Sequence, residues 1–177
     1  VASAVPGDPT KLSVAFTAPT GGATITSYEF STNAGTAWST ATGTSSPITI
    51  TGLAANTSYS QLQIRAVNAG GSGTATSNFS GTTVLAAPSS LSVSNSTSSG
   101  FSVAFTAPTG TVTGYDISTD GGTSWTDAAT TSSPIAVSGL TGNTTYDVQV
   151  RAKNALGFGS ASASVSGSTL PGAPLID

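Results

Sequence analysis

The sequence has no cysteine, no histidine and no methionine. Without cysteine there is no disulfide, no thiolate nucleophile and no sulfur-ligated metal. Without histidine the commonest general base and the commonest metal ligand are both missing. Ser-His-Asp, Cys-His and zinc constellations therefore fail together. Charge is scarce as well: four Lys and Arg and seven Asp and Glu make up 6% of the chain, against about 25% in an average soluble protein. Four basic residues cannot track a phosphate backbone, which argues against nucleic acid. No apolar run approaches the ~20 residues that cross a bilayer, and no signal-peptide pattern occurs, so membrane insertion is not expected.

What remains is a chain about one third Ser and Thr, with Val, Ile, Leu, Phe, Tyr and Trp spread at regular intervals. Disordered chains are charged and poor in aromatics, so a packed fold is expected. A length of 177 residues suits two small domains. The sequence opens at Val1 without an initiator Met and reads as a piece of something longer.

Self-comparison shows the domain plan. "SVAFTAPT" occurs at Ser13–Thr20 and again at Ser102–Thr109. Trp38, Pro47, Leu53 and Tyr59 are answered by Trp125, Pro134, Leu140 and Tyr146, each 87 positions on. The offset is 89 from Phe16 to Phe105 and 86 from Arg65 to Arg151, which places extra residues of the first copy near Gly21–Thr26 and between Tyr59 and Arg65. Within each copy the apolar residues alternate: Leu12, Val14 and Phe16, then Phe101, Val103 and Phe105, then Tyr146, Val148 and Val150. Period two with Gly, Pro, Asn and Asp punctuation reads as short strands with one buried face, hence an all-β sandwich. Tyr59 is out of phase with Leu62 and Ile64. One extra strand residue predicts a β-bulge at Ser60–Gln61, with both sets still facing the core.

The runs "ITGLAANTSY" and "VSGLTGNTTY", followed by "QIRAVNAGGSG" and "VQVRAKNALGFG", resemble the tyrosine-corner segment of fibronectin type III domains. The resemblance covers nearly the whole chain twice, with Phe16 and Phe105 in place of the family's usual strand-B Trp. It implies two tandem seven-stranded immunoglobulin-like β-sandwiches. Their bounds are 1–84, with its first strand truncated, and 85–170, followed by a linker and the start of a further repeat at 171–177. The joining segment Val84–Ser90 contains Pro88. Strands of about ten residues would give each domain a long axis of about 35 Å, and two in series a rod of about 70 Å.

Candidate sites are few. "STDGGTSW" at Ser118–Trp125 matches the Asp-box of sialidase propellers, but this chain repeats at 87 residues and propeller blades at about 40–50. With "STNAGTAW" at Ser31–Trp38 it reads as a hairpin turn. Asp120 or Asn33 caps local amides there, and Gly122 or Gly35 takes the left-handed position. Ala34 in place of Gly121 disfavours a type I′ turn, which needs positive φ at both central residues.

The resemblance places Glu29 and Asp116 beside Arg65 and Arg151 on adjacent strands. The expected result is two surface ion pairs worth about 0–1 kcal/mol each. No second carboxylate recurs in a cleft-forming place, so no catalytic residue is assigned. Asp116, Asp120 and Asp127 do not match a calcium-loop spacing. No metal and no cofactor is expected. Trp38, Trp125 and Phe158 are the candidate partner or glycan contacts. The tryptophans are open to partial core packing, and Phe158, in the loop "NALGFGS", to packing on the linker. The sequons at Asn56, Asn78, Asn95 and Asn143 match what chance supplies in so Ser/Thr-rich a chain, and no Arg-Gly-Asp occurs.

The function these features favour is non-catalytic: a rod-like tandem segment that extends, decorates or attaches a larger extracellular or virion surface protein. Its partners would be further repeats, surface glycans or structural proteins. The alternative is a spacer or accessory carbohydrate-binding module of a secreted polysaccharide-degrading enzyme. Low charge and absent cysteine favour a bacterial or phage exterior.

Overall fold

The computed structural model describes residues 1–174, and these are all-β, with no helix among them. The chain divides into two compact units, 1–84 and from Leu85 onward.

The first unit contains β1 (Ala2–Val5), β2 (Asp8–Val14), β3 (Ser27–Ser31), β4 (Ser39–Thr40), β5 (Ile48–Ile50), β6 (Ser58–Asn68), β7 (Gly71–Ser72) and β8 (Phe79–Thr82). One sheet has the order β1-β2-β5; the other is β4-β3-β6-β7, with β8 also on β6. The second unit contains β9 (Ser89–Ser94), β10 (Gly100–Thr106), β11 (Gly114–Ser118), β12 (Thr126–Asp127), β13 (Ile135–Ser138), β14 (Thr145–Asn154), β15 (Gly157–Ala161) and β16 (Val165–Ser168). Its sheets are β13-β10-β9 and β12-β11-β14-β15, with β16 also on β14. β7 with β8, and β15 with β16, are each two stretches of one edge strand, so each sandwich has seven strands. Only β6 and β14, at 11 and 10 residues, reach the expected strand length.

Alternation puts Leu12, Val14, Ile48 and Ile50 of one sheet against Tyr28, Phe30, Leu62 and Ile64 of the other, all buried. Phe101, Val103, Ile135, Tyr115, Val148 and Val150 repeat this in the second unit. Each buried side chain of this size contributes about 1.5–3 kcal/mol. The β6–β8 register shifts between Tyr59 and Leu62, as the out-of-phase tyrosine predicts, and both residues pack into the core.

Each edge strand is interrupted in the same way. Thr76 N–H donates to the Ile64 carbonyl at 2.9 Å, but Ile64 N–H donates to Thr76 Oγ1 at 3.1 Å rather than to a backbone oxygen. Ser162 does the same for Val150 at 2.9 and 3.0 Å. A side-chain hydroxyl thus completes the ladder where the backbone turns away.

Tyr59 Oη accepts from Ala54 N–H and Tyr146 Oη from Thr141 N–H, both at 2.8 Å. Two buried threonines complete the same corners. Thr83 Oγ1 accepts from Thr57 N–H at 3.0 Å and donates to the Ala54 carbonyl at 2.7 Å. Thr169 Oγ1 does so with Thr144 at 3.1 Å and Thr141 at 2.7 Å.

The joining segment begins in packed structure. Val84 and Leu85 are fully buried, and Leu85 belongs to the core of the second unit. At the other end, Leu170 accepts from Asn143 N–H, as Val84 accepts from Asn56 N–H. The expected start of a further repeat lies partly outside the described residues, at 175–177.

Candidate functional site

The sequence singles out the outer face of the sheet containing β3 and β6, and its counterpart in the second unit. Strand pairing sets Glu29 directly opposite Arg65 and Asp116 directly opposite Arg151. Because these positions alternate with core residues, each pair lies on the outward face of its own unit's sheet.

In the first unit Arg65 Nε donates to Glu29 Oε2 at 2.6 Å, and Ser72 Oγ donates to the same oxygen at 3.2 Å. The guanidinium carbon lies 4.1 Å from the centre of the Trp38 ring. Trp38 Nε1 donates to the Gly35 carbonyl at 3.0 Å, which fixes the indole against the turn.

The second unit builds more on the same plan. Arg151 donates to Asp116 Oδ2 through Nε and Nη2, at 3.2 and 2.9 Å. Lys153 Nζ reaches Asp116 Oδ1 at 3.0 Å and Asp127 Oδ2 at 2.9 Å. The Arg151 guanidinium lies 4.4 Å from the Trp125 ring centre and 3.9 Å from that of Phe158. Trp125 Nε1 donates to the Gly122 carbonyl at 3.0 Å.

Three expectations change here. The Asp116 pair is not a surface pair, since Asp116 is only 5% exposed under its two cations. Phe158, expected either to pack on the linker or to project as a contact, stacks on the Arg151 guanidinium, a partner the sequence did not suggest. Trp38 and Trp125 are half-buried on the arginines, outside the core clusters. Alternation put these residues on the outward face and the family resemblance made their strands neighbours, but neither carried a sign of the stacking or of the Lys153 bridge between two aspartates.

The Asp-box stretch is a turn built from its own side chains. Ser118 Oγ donates to Asp120 Oδ1 at 2.7 Å and accepts from Gly122 N–H at 2.9 Å. Asp120 also accepts from Ser124 N–H and Ser124 Oγ. In the first unit Ser31 and Asn33 repeat this, with Asn33 Oδ1 accepting from Ala37 N–H at 2.9 Å.

The expectation about Ala34 is overturned. Ala34 and Gly35 have φ of 54° and 83°, Gly121 and Gly122 have 70° and 87°, and Thr36 N–H donates to the Asn33 carbonyl at 3.3 Å. These are the φ values of a type I′ turn. The Ser31 network and a bond from Ala34 N–H to the Gln61 carbonyl hold the alanine in a conformation it disfavours. Ala34→Gly is therefore expected to raise the stability of the first unit by about 1 kcal/mol. The reverse change, Gly121→Ala, should lower that of the second, where a Cβ would also stand 3.0 Å from Asp147 Oδ2. Urea midpoints of the two units check both. Three of the four sequon asparagines, Asn56, Asn95 and Asn143, are at positive φ, so local turn geometry accounts for their placement.

Hydrogen bonds from Ser124, then Ser118, hold the Asp120 carboxyl at about 2. Lys11, then Thr10, hold Asp8 at about 2. Lys153, then Ala129 N–H, lower Asp127, while Asp127 and Asp116 in turn raise Lys153. All three displaced carboxylates move away from the range a general acid needs. Among the described residues no three acidic groups converge on a metal-sized site.

The folded values of Asp8 and Asp120 lie below the ~3.9 of a free aspartate, so the unfolded chain takes up protons first as pH falls. Their stabilisation is complete above about pH 4 and is lost as pH falls towards 2. Asp120→Asn, which installs the residue found at Asn33, is expected to keep the turn and flatten part of the second unit's acid dependence. Urea midpoints between pH 2 and 7 measure this.

The fibronectin type III domain family matches residues 2–82 and 86–168. No curated protein sequence matches the chain. Among solved structures, the FN1–FN3 domains of chicken CNTN1 are similar at 20% identity and a TM-score of 0.49. That match covers 96% of this chain and 66% of the other, so the chain spans a little under two thirds of it. A second solved structure, described as a myokine, is similar at 24% identity and a TM-score of 0.43, covering 48% of this chain and 97% of the other. With two sandwiches, two tyrosine corners and two family matches in register with the sequence repeat, the chain belongs to the fibronectin type III family.

Proposed function

We infer that the chain is a non-catalytic structural or attachment segment of a larger surface protein, exposed outside a bacterial cell or on a virion. One observation carries this reading. On the face where both units concentrate charge and aromatics, the acids, cations and rings engage one another. Stacked arginines tied to acids on the adjacent strand brace a sheet, and the one displaced pair on this face, Asp127 and Lys153, is shifted away from the range of acid–base chemistry. Low charge and the lack of cysteine and methionine fit an exposed protein assembled from further repeats.

Phe158 supports the second reading, a spacer or accessory glycan-binding module of a secreted polysaccharide-degrading enzyme. With Trp125 it makes a two-ring cluster that the first unit lacks. Two experiments separate the readings. Intact mass and peptide sequencing of the native protein should show an appended capsid, tail or anchor domain; a hydrolase domain would instead make these units spacers. Calorimetric titration with soluble polysaccharides should give no heat. Heat that disappears in Phe158→Ala would establish glycan binding instead.

A further inference from the structure

The first unit has an open apolar groove of about 420 Å³, lined by Phe16, Pro19, Tyr28, Ile64, Ala66 and Gly73 among others. The repeat offsets place its counterpart in the second unit at Phe105, Pro108, Tyr115, Val150, Ala152 and Gly159. There the corresponding space is filled by Leu85, which is fully buried in a cluster with Phe105, Tyr115, Val150 and Ala152. Leu85 lies directly over the glycine: a Cβ built on Gly159 would stand 2.5 Å from its carbonyl oxygen and 3.1 Å from its Cβ. A Cβ on Gly73 would meet only the Ala66 carbonyl, at 3.4 Å.

The lining responds to the difference. Phe105 is 8% exposed and Ala152 fully buried, whereas Phe16 and Ala66 are only half-buried. β15 runs for five residues where β7 runs for two. The frameworks otherwise correspond, down to the hydroxyls of Thr76 and Ser162 that bridge the edge strand. The two units differ in what occupies the space more than in its walls.

We propose that the groove of the first unit is a receptor for the extended linker of a further repeat, a leucine-sized side chain followed by two small residues and a proline, seated as Leu85–Pro88 is in the second unit. The chemistry follows from the walls. An aliphatic plug removes Phe16 and Ala66 from water, small residues pass the edge strand, and glycine at position 73 leaves room for the plug's own backbone. Arg65 of the stacked face also lines the groove, but the proposal rests on Phe16, Ala66 and Gly73 and stands whether the chain is a scaffold or a spacer.

Strand register sets the test. Ala2 faces Val14 as Val93 faces Val103. The sequence Val-Leu-Ala-Ala-Pro-Ser-Ser-Leu, that of Val84–Leu91, joined ahead of Val1 therefore brings its first leucine into the place of Leu85. The extended chain should unfold about 5–10 °C higher in its first unit. Amide exchange across 62–76 should slow by about tenfold in the extended chain, which reads the first unit separately from the second. Replacing that leucine by aspartate should abolish both effects. Gly73→Ala should leave the original chain unchanged yet cancel the gain in the extended one, because its methyl takes the space of the linker backbone. Equal stability with leucine and aspartate, or a gain that survives Gly73→Ala, overturns the proposal.

Discussion

Gly100→Ala is expected to unfold the second unit and leave the first folded. Gly100 is the first residue of β10, buried and paired with Ser138 of β13. A Cβ there would stand 2.1 Å from the Val137 carbonyl oxygen and 3.1 Å from Ser138 Cα. Both are backbone atoms of the neighbouring strand, so no side chain can swing aside. Retreat in the other direction is blocked too, since the Gly100 carbonyl accepts from Thr97 N–H at 2.8 Å and Thr97 Oγ1 at 3.1 Å. Overpacking typically costs about 1–3 kcal/mol and occasionally more. A 2.1 Å approach to backbone belongs at the upper end or beyond, a large share of the stability of a domain near the low end of the usual range of about 5–15 kcal/mol. Urea unfolding followed by two-dimensional NMR should show the second unit's signals collapse into the random-coil range while the first unit's persist. Retention of both sets would mean that β10 and β13 can part more easily than their pairing implies.

Arg151→Ala should destabilise the second unit by about 3 kcal/mol, and Arg65→Ala the first by about 1. The chemistry of the two changes is alike, but their surroundings are not. Arg65 and Glu29 keep 25% and 24% of their side chains in water, so a carboxylate left alone is rehydrated. Asp116 is nearly sealed, and losing Arg151 leaves it one cation, Lys153, which Asp127 shares. The Trp125 and Phe158 rings lose their common stacking partner at the same time. Denaturant midpoints of the two single variants give the comparison. Adding Asp116→Leu to the Arg151→Ala chain should recover part of the loss, because the unpaired charge is then gone. Equal losses in the two units would show that burial of Asp116 adds nothing.

The fold was legible because it is written twice. Paired tryptophans, prolines and tyrosines at a constant offset, and alternation in Leu12–Phe16 and Tyr146–Val150, made the strands and the bulge before Leu62 legible, and the family resemblance supplied the tyrosine corners. The ion pairs were legible because alternation assigns Arg65 and Arg151 to the outward face and the family resemblance sets their strand beside that of Glu29 and Asp116. Contacts without a periodic signal were not. Thr83 and Thr169 look like two more threonines among many, although they recur 86 positions apart, and only the folded corner shows that each hydroxyl serves two backbone groups. The left-handed Ala34 contradicts its own propensity because bonds around it decide its conformation. Leu85 reads as linker because nothing local to its sequence reveals the space over Gly159.

The hydroxyl-bridged break in each edge strand has a consequence for chains carrying many such repeats. Tandem units hold near-identical strands at high local concentration, the setting in which sheets add strands from neighbours and misassemble. An incoming strand needs an unbroken row of N–H and C=O groups on a straight edge. Where Thr76 and Ser162 turn their hydroxyls inward to complete the ladder, that row is interrupted midway. A would-be partner strand meets two short stubs, β7 and β8 or β15 and β16, in place of one template. The break thus works against strand addition between neighbouring repeats.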